Sequence, residues 1–434
     1  MKLQINNELT KLNELFLKNK TPLYVVGGFV RDSLLQLKSI DIDLASKLKN
    51  EELIDLLNNT EFKIVPASKK LGTCVIKLGV ASFEHTTFRS EAYPLGGFHT
   101  PNEVIFVDDI KQDAKRRDFT INSLYYDIQN DEVLDFFEGK TDLKQKTVKA
   151  IILPEYVFKS DGLRILRMIR IAAELGFVID KKTYQTPKEM VHQLKDITKD
   201  RLYKEFQLIL LANKKYGHSN LHTLEQLFEL GALEFIFKNL QHFETKHLLK
   251  NLKPHLFYYT LPNNPYPFTT FYLDLAQFLS NKQNIKPNII LSKVLTLDTC
   301  GISKKERKDT LDFVKSYEQI KKCKNDLTTK KFIQDHIKEL QKLLFVLNNE
   351  KDIEFYKSLR YNYEFMIEHK MPITLRELAV NGKMLEEELK LQDKKQIGQL
   401  LKKALKFCAV QNNNNTKAKI LKFLSEEQKK EEKK

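Results

Sequence analysis

Residues 25–45, VVGGFVRDSLLQLKSIDIDLA, constrain what this chain can become more than any other part of it. Leu23, Tyr24, Val25 and Val26 predict a short buried strand. Gly27 and Gly28 stop that strand, and without a Cβ they let backbone approach a ligand closely. Residues 29–37 predict a helix whose first N–H groups face the glycine turn. Residues 40–44 alternate as a strand should, which places Asp41 and Asp43 on one face. Two carboxylates so placed repel unless a cation lies between them, and a divalent metal is the economical solution. A phosphate cradle beside a metal-holding carboxylate pair is what nucleotidyl transfer requires. Alone, a glycine pair is most often a turn and a DxD most often a solvated strand edge. Their combination, with Arg31 and Asp32 between them, favours the functional reading.

The chain has 434 residues, enough for two to four domains with real cores. Its formal charge of +15 favours a polyanionic partner, nucleic acid first, although a lysine-rich composition alone accounts for such an excess equally well. Cys74, Cys300, Cys323 and Cys408 lie far apart and form no CxxC pair, which fits neither a disulfide framework nor a zinc site and points to a reducing compartment. No apolar run approaches the ~18 residues of a membrane span. The N-terminus lacks the apolar core of a signal peptide and reads as an amphipathic helix over residues 8–17. A cytoplasmic location follows by elimination. The sequence leaves the oligomeric state open.

Residues 21–150 mix strands and helices. Residues 75–78 and 81–87 predict a hairpin through Gly79, with Glu84 on its second strand as a candidate third acid for the metal. Residues 89–115 form a long connection containing Pro94, Gly96, Gly97 and Pro101, and connections of that length inside a compact domain are usually functional or mobile. Arg116 and Arg117 follow, planar forks suited to a triphosphate. Asp118 and Asn122 can hydrogen-bond a ribose or orient those arginines. From about residue 155 the periodicity becomes helical and stays so. Residues 160–164, SDGLR, open a helix to about Glu174, with Gly176 at its end. Asp161 and Arg164, three apart, are read as helical neighbours that present an acceptor and a donor to a base edge. Arg167 borders that face and suits a phosphate or packing, whereas Arg170 lies on nearly the opposite side and suits structure or RNA.

GGFVRD followed by DIDLA resembles motif A of the class II tRNA nucleotidyltransferases and bacterial poly(A) polymerases, within the DNA polymerase β superfamily. RRDFTIN, residues 116–122, matches motif B, with Ser123 where alanine is usual. Residues 134–143, LDFFEGKTDL, resemble motif C and read as scaffold or hinge. SDGLR resembles motif D, EDxxR, with Ser160 in place of glutamate, and residues 198–206, TKDRLYKEF, resemble motif E, where Asp200, Arg201 and Glu205 brace the preceding helix. The tail is similar in its LRELAVNGKMLEE and IGQLL elements. The resemblance covers almost the whole chain and is specific over the first ~210 residues.

The resemblance implies an α+β, polymerase-β-like head over residues 1–150, a helical neck over 151–210, a helical body over 211–345 and a helical tail over 346–434. It implies addition of C and A from CTP and ATP to the 3′ end of tRNA, with Mg²⁺ held by Asp41, Asp43 and Glu84. Gly27, Gly28, Arg31, Arg116, Arg117, Asp118 and Asn122 then bind the nucleotide. Asp161 and Arg164 select its base, flanked by Arg167 and Arg170. The tail binds the tRNA elbow, for which Lys383, Lys394, Lys395, Lys402 and Lys403 suit phosphate contact. In such relatives the loop between motifs A and B serves the adenosine-adding step; this chain keeps its length, although GGFHTP departs from the usual basic pattern. No His-Asp pair marks a phosphohydrolase domain, since Asp335-His336 is reversed and alone. A poly(A) polymerase, an enzyme adding only CC or only A, and a non-catalytic RNA-binding protein are the rival readings. Intact acidic and arginine motifs argue against the last, because pure binding gains nothing from clustered buried carboxylates.

Overall fold

Helix α1 (Asn7–Lys18) begins where Asn6 accepts a hydrogen bond from the Leu9 amide, and it buries Leu9, Leu12 and Phe16. The structure, a computed structural model, describes residues 3–39, 41–92, 103–218, 223–243, 264–298, 300–349, 351–389, 391 and 393–431.

Seven strands follow in one sheet: β1 (Tyr24–Val26), β2 (Asp43–Ser46), β3 (Lys63–Ser68), β4 (Thr73–Leu78), β5 (Ala81–Thr87), β8 (Tyr125–Asp127) and β9 (Glu132–Leu134). Their order is β3-β4-β5-β2-β1-β8-β9. Only the β2–β5 pair is parallel; the other pairs are antiparallel. On β5 the alternation sends Phe83, His85 and Thr87 into the core, where the His85 ring lies 6.4 Å from that of Phe16 on α1. Glu84 points to the other face. His85 is fully enclosed and shares a 2.9 Å hydrogen bond with Ser46, and burial pushes its pKa down to about 3, so it is a neutral core residue.

The register gathers the sequence motifs. Val26, the last residue of β1, pairs with Asp43, the first of β2, and with Tyr125, the first of β8. The glycine turn after β1, the acidic start of β2 and the segment leading into β8 therefore meet at one end of the sheet. Gly27 adopts φ +72°, the left-handed region that favours glycine, and starts α2 (Gly28–Leu34). The amide of Gly27 donates to the Leu124 carbonyl at 3.1 Å, locking that end.

The connection over residues 89–115 holds more structure than expected. Strands β6 (Arg89–Ala92) and β7 (Glu103–Phe106) form a hairpin, and α4 (Ile110–Lys115) follows, capped by Asp109. Its Pro94, Gly96, Gly97 and Pro101 lie outside the described residues.

Beyond the sheet come α5 (Gly139–Lys144), the parallel pair β10 (Thr147–Val148) and β11 (Val178–Ile179), then α6 (Pro154–Ser160) and α7 (Arg164–Leu175). Two short helices, α8 (Lys181–Gln185) and α9 (Pro187–Met190), lead to α10 (Lys199–Tyr216), which packs along α7. Left-handed Gly176 and Gly217 end α7 and α10.

The chain forms two compact units, Met1–Phe268 with Lys293–Ser303, and Thr269–Ser292 with Lys304–Lys434. Of the four segments expected from sequence, 1–150 and 151–210 lie in the first unit and 346–434 in the second, while 211–345 is divided between them. The second unit is helical. Its tail core joins Leu378, Leu385, Leu400, Ala404, Ile420 and Leu424. Of the Pro-, Tyr- and Phe-rich residues 251–267, those up to 263 lie outside the described residues. No helix among the described residues is long and apolar enough to cross a membrane.

Candidate functional site

A cavity of about 510 Å³ opens at the end of the sheet where the motifs meet. The glycine turn, Asp41 and Asp43 form one side, and one side of α7 forms the other. Because 164, 167, 171 and 174 recur at helical spacing, Arg164, Arg167 and Glu174 all face the cavity, and Arg170 also lines it. The expectation that Arg170 turns away from the site is thereby corrected: the lining side of α7 is broad enough to include it.

Asp43 stands at the cavity, open to it but surrounded by protein. That enclosure, then Glu84 and Asp41, push its carboxyl up to about 6, while Arg117 and Arg167 pull the other way. Glu84 is the cross-strand partner of Asp43 and shares its face of the sheet. It does not line the cavity. Among the described residues no three His, Cys, Asp or Glu side chains are gathered closely enough to hold an ion. Asp41 and Asp43, which both line the cavity, are a donor pair that a divalent cation would satisfy, whereas the expected third acid, Glu84, is not gathered with them.

Among the described residues seven arginines line the cavity, and Arg31, Arg116, Arg117, Arg167 and Arg170 are each held from behind. Arg31 is buried and grips Asp32 (2.7 and 2.6 Å) and the Asn122 side chain (2.7 Å). Tyr216, at the end of α10, donates to the other oxygen of Asp32 and ties α2 to a helix 184 residues away in sequence. Arg117 donates to the Tyr125 hydroxyl at 2.9 Å and lies over that ring. Arg116 donates to Asp113 at 2.8 Å and reaches Glu91 at 3.5 Å. Arg167 makes a forked contact with one oxygen of Asp118 (2.9 and 2.6 Å). Arg170 is shared by Glu205 (2.5 Å) and Glu174 (2.7 Å). A guanidinium held this way presents its remaining N–H groups without first losing side-chain freedom.

Asp118 and Asn122 thus orient arginines, one of the two roles open to them from sequence. Asp118 also accepts from the Asn122 amide and the Phe119 backbone. Burial alone would push its carboxyl up, but Arg167 and then Arg164 hold it far below the usual range.

Asp161 and Arg164 reach the cavity by a different route from the one expected. α6 ends at Ser160, and Asp161 is extended (φ −150°, ψ 109°) before α7 starts at Arg164. They are not neighbours within a helix. A Cβ on Gly162 would lie 2.9 Å from the Gln193 carbonyl oxygen, so the break packs against the chain at Gln193 and tolerates only glycine. Asp161 accepts from the Leu163 amide at 3.0 Å and lies 3.6 Å from Arg201. Arg164 donates to the Arg116 carbonyl (2.7 Å) and the Ser160 hydroxyl (2.8 Å). Both side chains border the cavity through these holds.

Among the contributors that escaped the sequence reading are Asp113, Glu91 and Tyr216. Asp113 carried a usable signal, standing three and four residues before Arg116 and Arg117 at the end of a helix. Glu91 and Tyr216 carried none, since only the tertiary fold brings them to their partners.

A geometry of glycine turn, paired carboxylates and braced arginines is that of an enzyme handling nucleoside polyphosphates. Comparison with known proteins agrees. The family model of the poly A polymerase head domain matches residues 23–149, and that of a probable RNA and SrmB-binding site of polymerase A matches 176–244. The chain is 30% identical over 390 residues to a CCA-adding enzyme of Streptococcus uberis, covering 88% of this chain and 87% of that one. It is 29% identical over 409 residues to the CCA-adding enzyme of Lactococcus lactis subsp. lactis, covering 91% and 93%. The fold resembles that of the Bacillus stearothermophilus CCA-adding enzyme in complex with CTP (TM-score 0.72, 21% identity, 98% of both chains). It also resembles the Thermotoga maritima CCA-adding enzyme complexed with tRNA_CCA (TM-score 0.56, 19% identity, 98% and 96%).

Proposed function

We propose roles for the cavity's residues from one premise: this chain belongs to the family of CCA-adding enzymes. It is a nucleotidyltransferase that adds C, C and A from CTP and ATP to the 3′ end of tRNA. In each cycle the terminal 3′-hydroxyl attacks the α-phosphate, a new phosphodiester forms and pyrophosphate leaves.

The observation that carries the residue assignment is the Val26–Asp43 register, which sets the acidic pair beside the glycine turn and across from the arginines of α7. Gly27 and Gly28 let the triphosphate approach the start of α2, and Arg31 and Arg117 grip its oxygens as preset forks. Arg167 adds positive charge over the same space, and Arg116 and Arg170 frame it. Reactions of this family use a divalent metal; Asp41 and Asp43 would hold it, with Glu84 beside Asp43 on the neighbouring strand, and we assign it as Mg²⁺. When bound there, such an ion supplies charge neutralisation at the phosphates and a lowered pKa for the attacking hydroxyl. Asp161 and Arg164 offer an acceptor and a donor to the base edge. Ser160 holds Arg164 through its hydroxyl, where the motif usually has glutamate.

We assign residues 1–150 to catalysis, 151–210 to base selection, 211–345 to a connecting body and 346–434 to the tRNA elbow, in a cytoplasmic enzyme. In the tail, Lys383 is well exposed, as phosphate contact requires.

Incubation of a tRNA lacking its 3′ CCA with CTP, with ATP and with both, read on a sequencing gel, tests the activity. Two additions with CTP alone and three with both are expected; long A tracts would make the chain a poly(A) polymerase instead. Arg164→Ala is expected to lower discrimination between C, A and U by about tenfold or more, the size of a lost base contact, while slowing phosphoryl transfer less. Unchanged selectivity would remove Arg164 from base reading.

A further inference from the structure

A second cavity in the first unit, about 620 Å³, lies behind the nucleotide site and shares Arg116, Arg117 and Arg164 with it. The hydrogen bonds from Arg164 to the Arg116 carbonyl and to Ser160 form part of the wall between the two. We propose that this second cavity holds a nucleotide of the RNA strand next to its reacting 3′ end. The proposal rests on the tRNA-extending activity given above and adds a binding site to it.

The lining has the chemistry of a single-stranded RNA site. Ile152, Tyr156 and Val157 supply an apolar surface. Tyr156 is 62% exposed, so a face of its ring is open to a ligand. Every base has a π-face, so a ring at a cavity rim binds any of them by stacking. Lys115 and Lys159 line the same space, are exposed, and no acidic side chain among the described residues pairs with either. Glu91, the acid on this wall, is already engaged by Arg89 and Arg116. The cavity is therefore strongly positive and partly apolar. Phosphates would sit at the lysines, which position a strand without reading it, and a base would lie on Tyr156.

A free nucleoside triphosphate fits less well. Among the described residues, the second cavity is lined by no glycine and by no acidic pair to hold a metal, both of which the first cavity has. Connectivity also favours the strand. An RNA whose terminal hydroxyl reaches Asp41 and Asp43 must lay its preceding nucleotides along an adjoining surface, and this cavity adjoins across a shared wall.

Tyr156→Ala, Tyr156→Phe and Lys159→Ala in the full-length protein test the assignment. Binding of tRNA lacking CCA is measured by gel shift, and KM is measured for tRNA and for CTP. Tyr156→Ala is expected to weaken tRNA binding and raise its KM about tenfold, the usual scale of one lost base stack, with the KM for CTP within about twofold of wild type. Tyr156→Phe restores the ring and is expected to restore binding. Lys159→Ala is expected to weaken tRNA binding and to flatten its salt dependence. The assignment is overturned if Tyr156→Ala binds tRNA like wild type with an unchanged melting temperature, or if the loss falls equally on CTP, which would make the cavity a nucleotide site. If wild type binds tRNA but adds no nucleotide, the assigned activity fails, and the binding comparison still decides the cavity.

Discussion

Asp43→Asn is expected to reduce nucleotide incorporation by about a thousandfold or more, the scale on which charge-stabilising groups contribute to phosphoryl transfer. The substitution keeps the shape of the side chain and removes its charge. Asp43 begins β2 at the end of the sheet that carries the glycine turn, with Glu84 in register on β5. A neutral amide there would leave a divalent ion with a weaker ligand at the centre of its acidic set. The effect should fall on kcat, with the dissociation constant for tRNA unchanged by gel shift. Stability supplies an independent check. A carboxyl whose pKa is raised to about 6 in the folded chain favours folding fully only below its unfolded value, near 3.8, and works against it as pH rises through 6. At neutral pH the asparagine variant should therefore melt no lower than wild type. An inactive protein of equal or greater stability is the signature of a residue kept for chemistry. Appreciable turnover by Asp43→Asn would refute the metal assignment.

The parts of this molecule that were legible in the sequence are those where chemistry and local pattern coincide. A glycine pair after an apolar run can hardly do other than turn, and an alternating DIDLA places acids at a strand start. The register that joins them is a long-range property, yet two short strands flanking one helix leave few other pairings. What stayed hidden depends on contacts between distant segments. The helical period reads residues 160–164 as the opening of a helix, whereas α7 starts only at Arg164, and the break before it packs on Gln193 at Gly162. The hairpin inside 89–115 has strands of only four residues each, too short for alternation to show. Glu84 was legible as a strand residue, but its place outside the cavity lining was not. Arginine motifs were easily seen; the acids behind them were not, because a bracing carboxylate carries no motif of its own.

The clearest case of such a brace is Asp113, and its removal should be the most damaging single change to the stability of the first unit. The side chain is completely buried. It accepts hydrogen bonds from four donors: the Arg89 amide (3.1 Å), Arg116 (2.8 Å), Arg117 (3.4 Å) and the Tyr125 hydroxyl. Through them it joins β6, α4 and β8, and it aims two cavity arginines. Asp113→Ala leaves both guanidinium groups short of a counter-charge, and breaking a buried pair from one side costs about 3–5 kcal/mol. For a unit of this size that lowers the melting temperature by about 10 °C. Tyr125→Phe removes one donor and leaves the charges paired, so about 1 kcal/mol is expected. Burial by itself would raise the Asp113 carboxyl, but Arg116 and Arg117 hold it below the usual range. Its contribution is thus present above the unfolded pKa of about 4 and fades as pH falls below it, so the acid limb of the stability curve should be shallower in Asp113→Ala than in wild type. At a temperature where the variant is folded, its KM for CTP should rise, since Arg117 is no longer held toward the cavity. A melting temperature within about 2 °C of wild type would mean that the arginines find other partners, and the brace would then have to be sought in Tyr125 and Glu91.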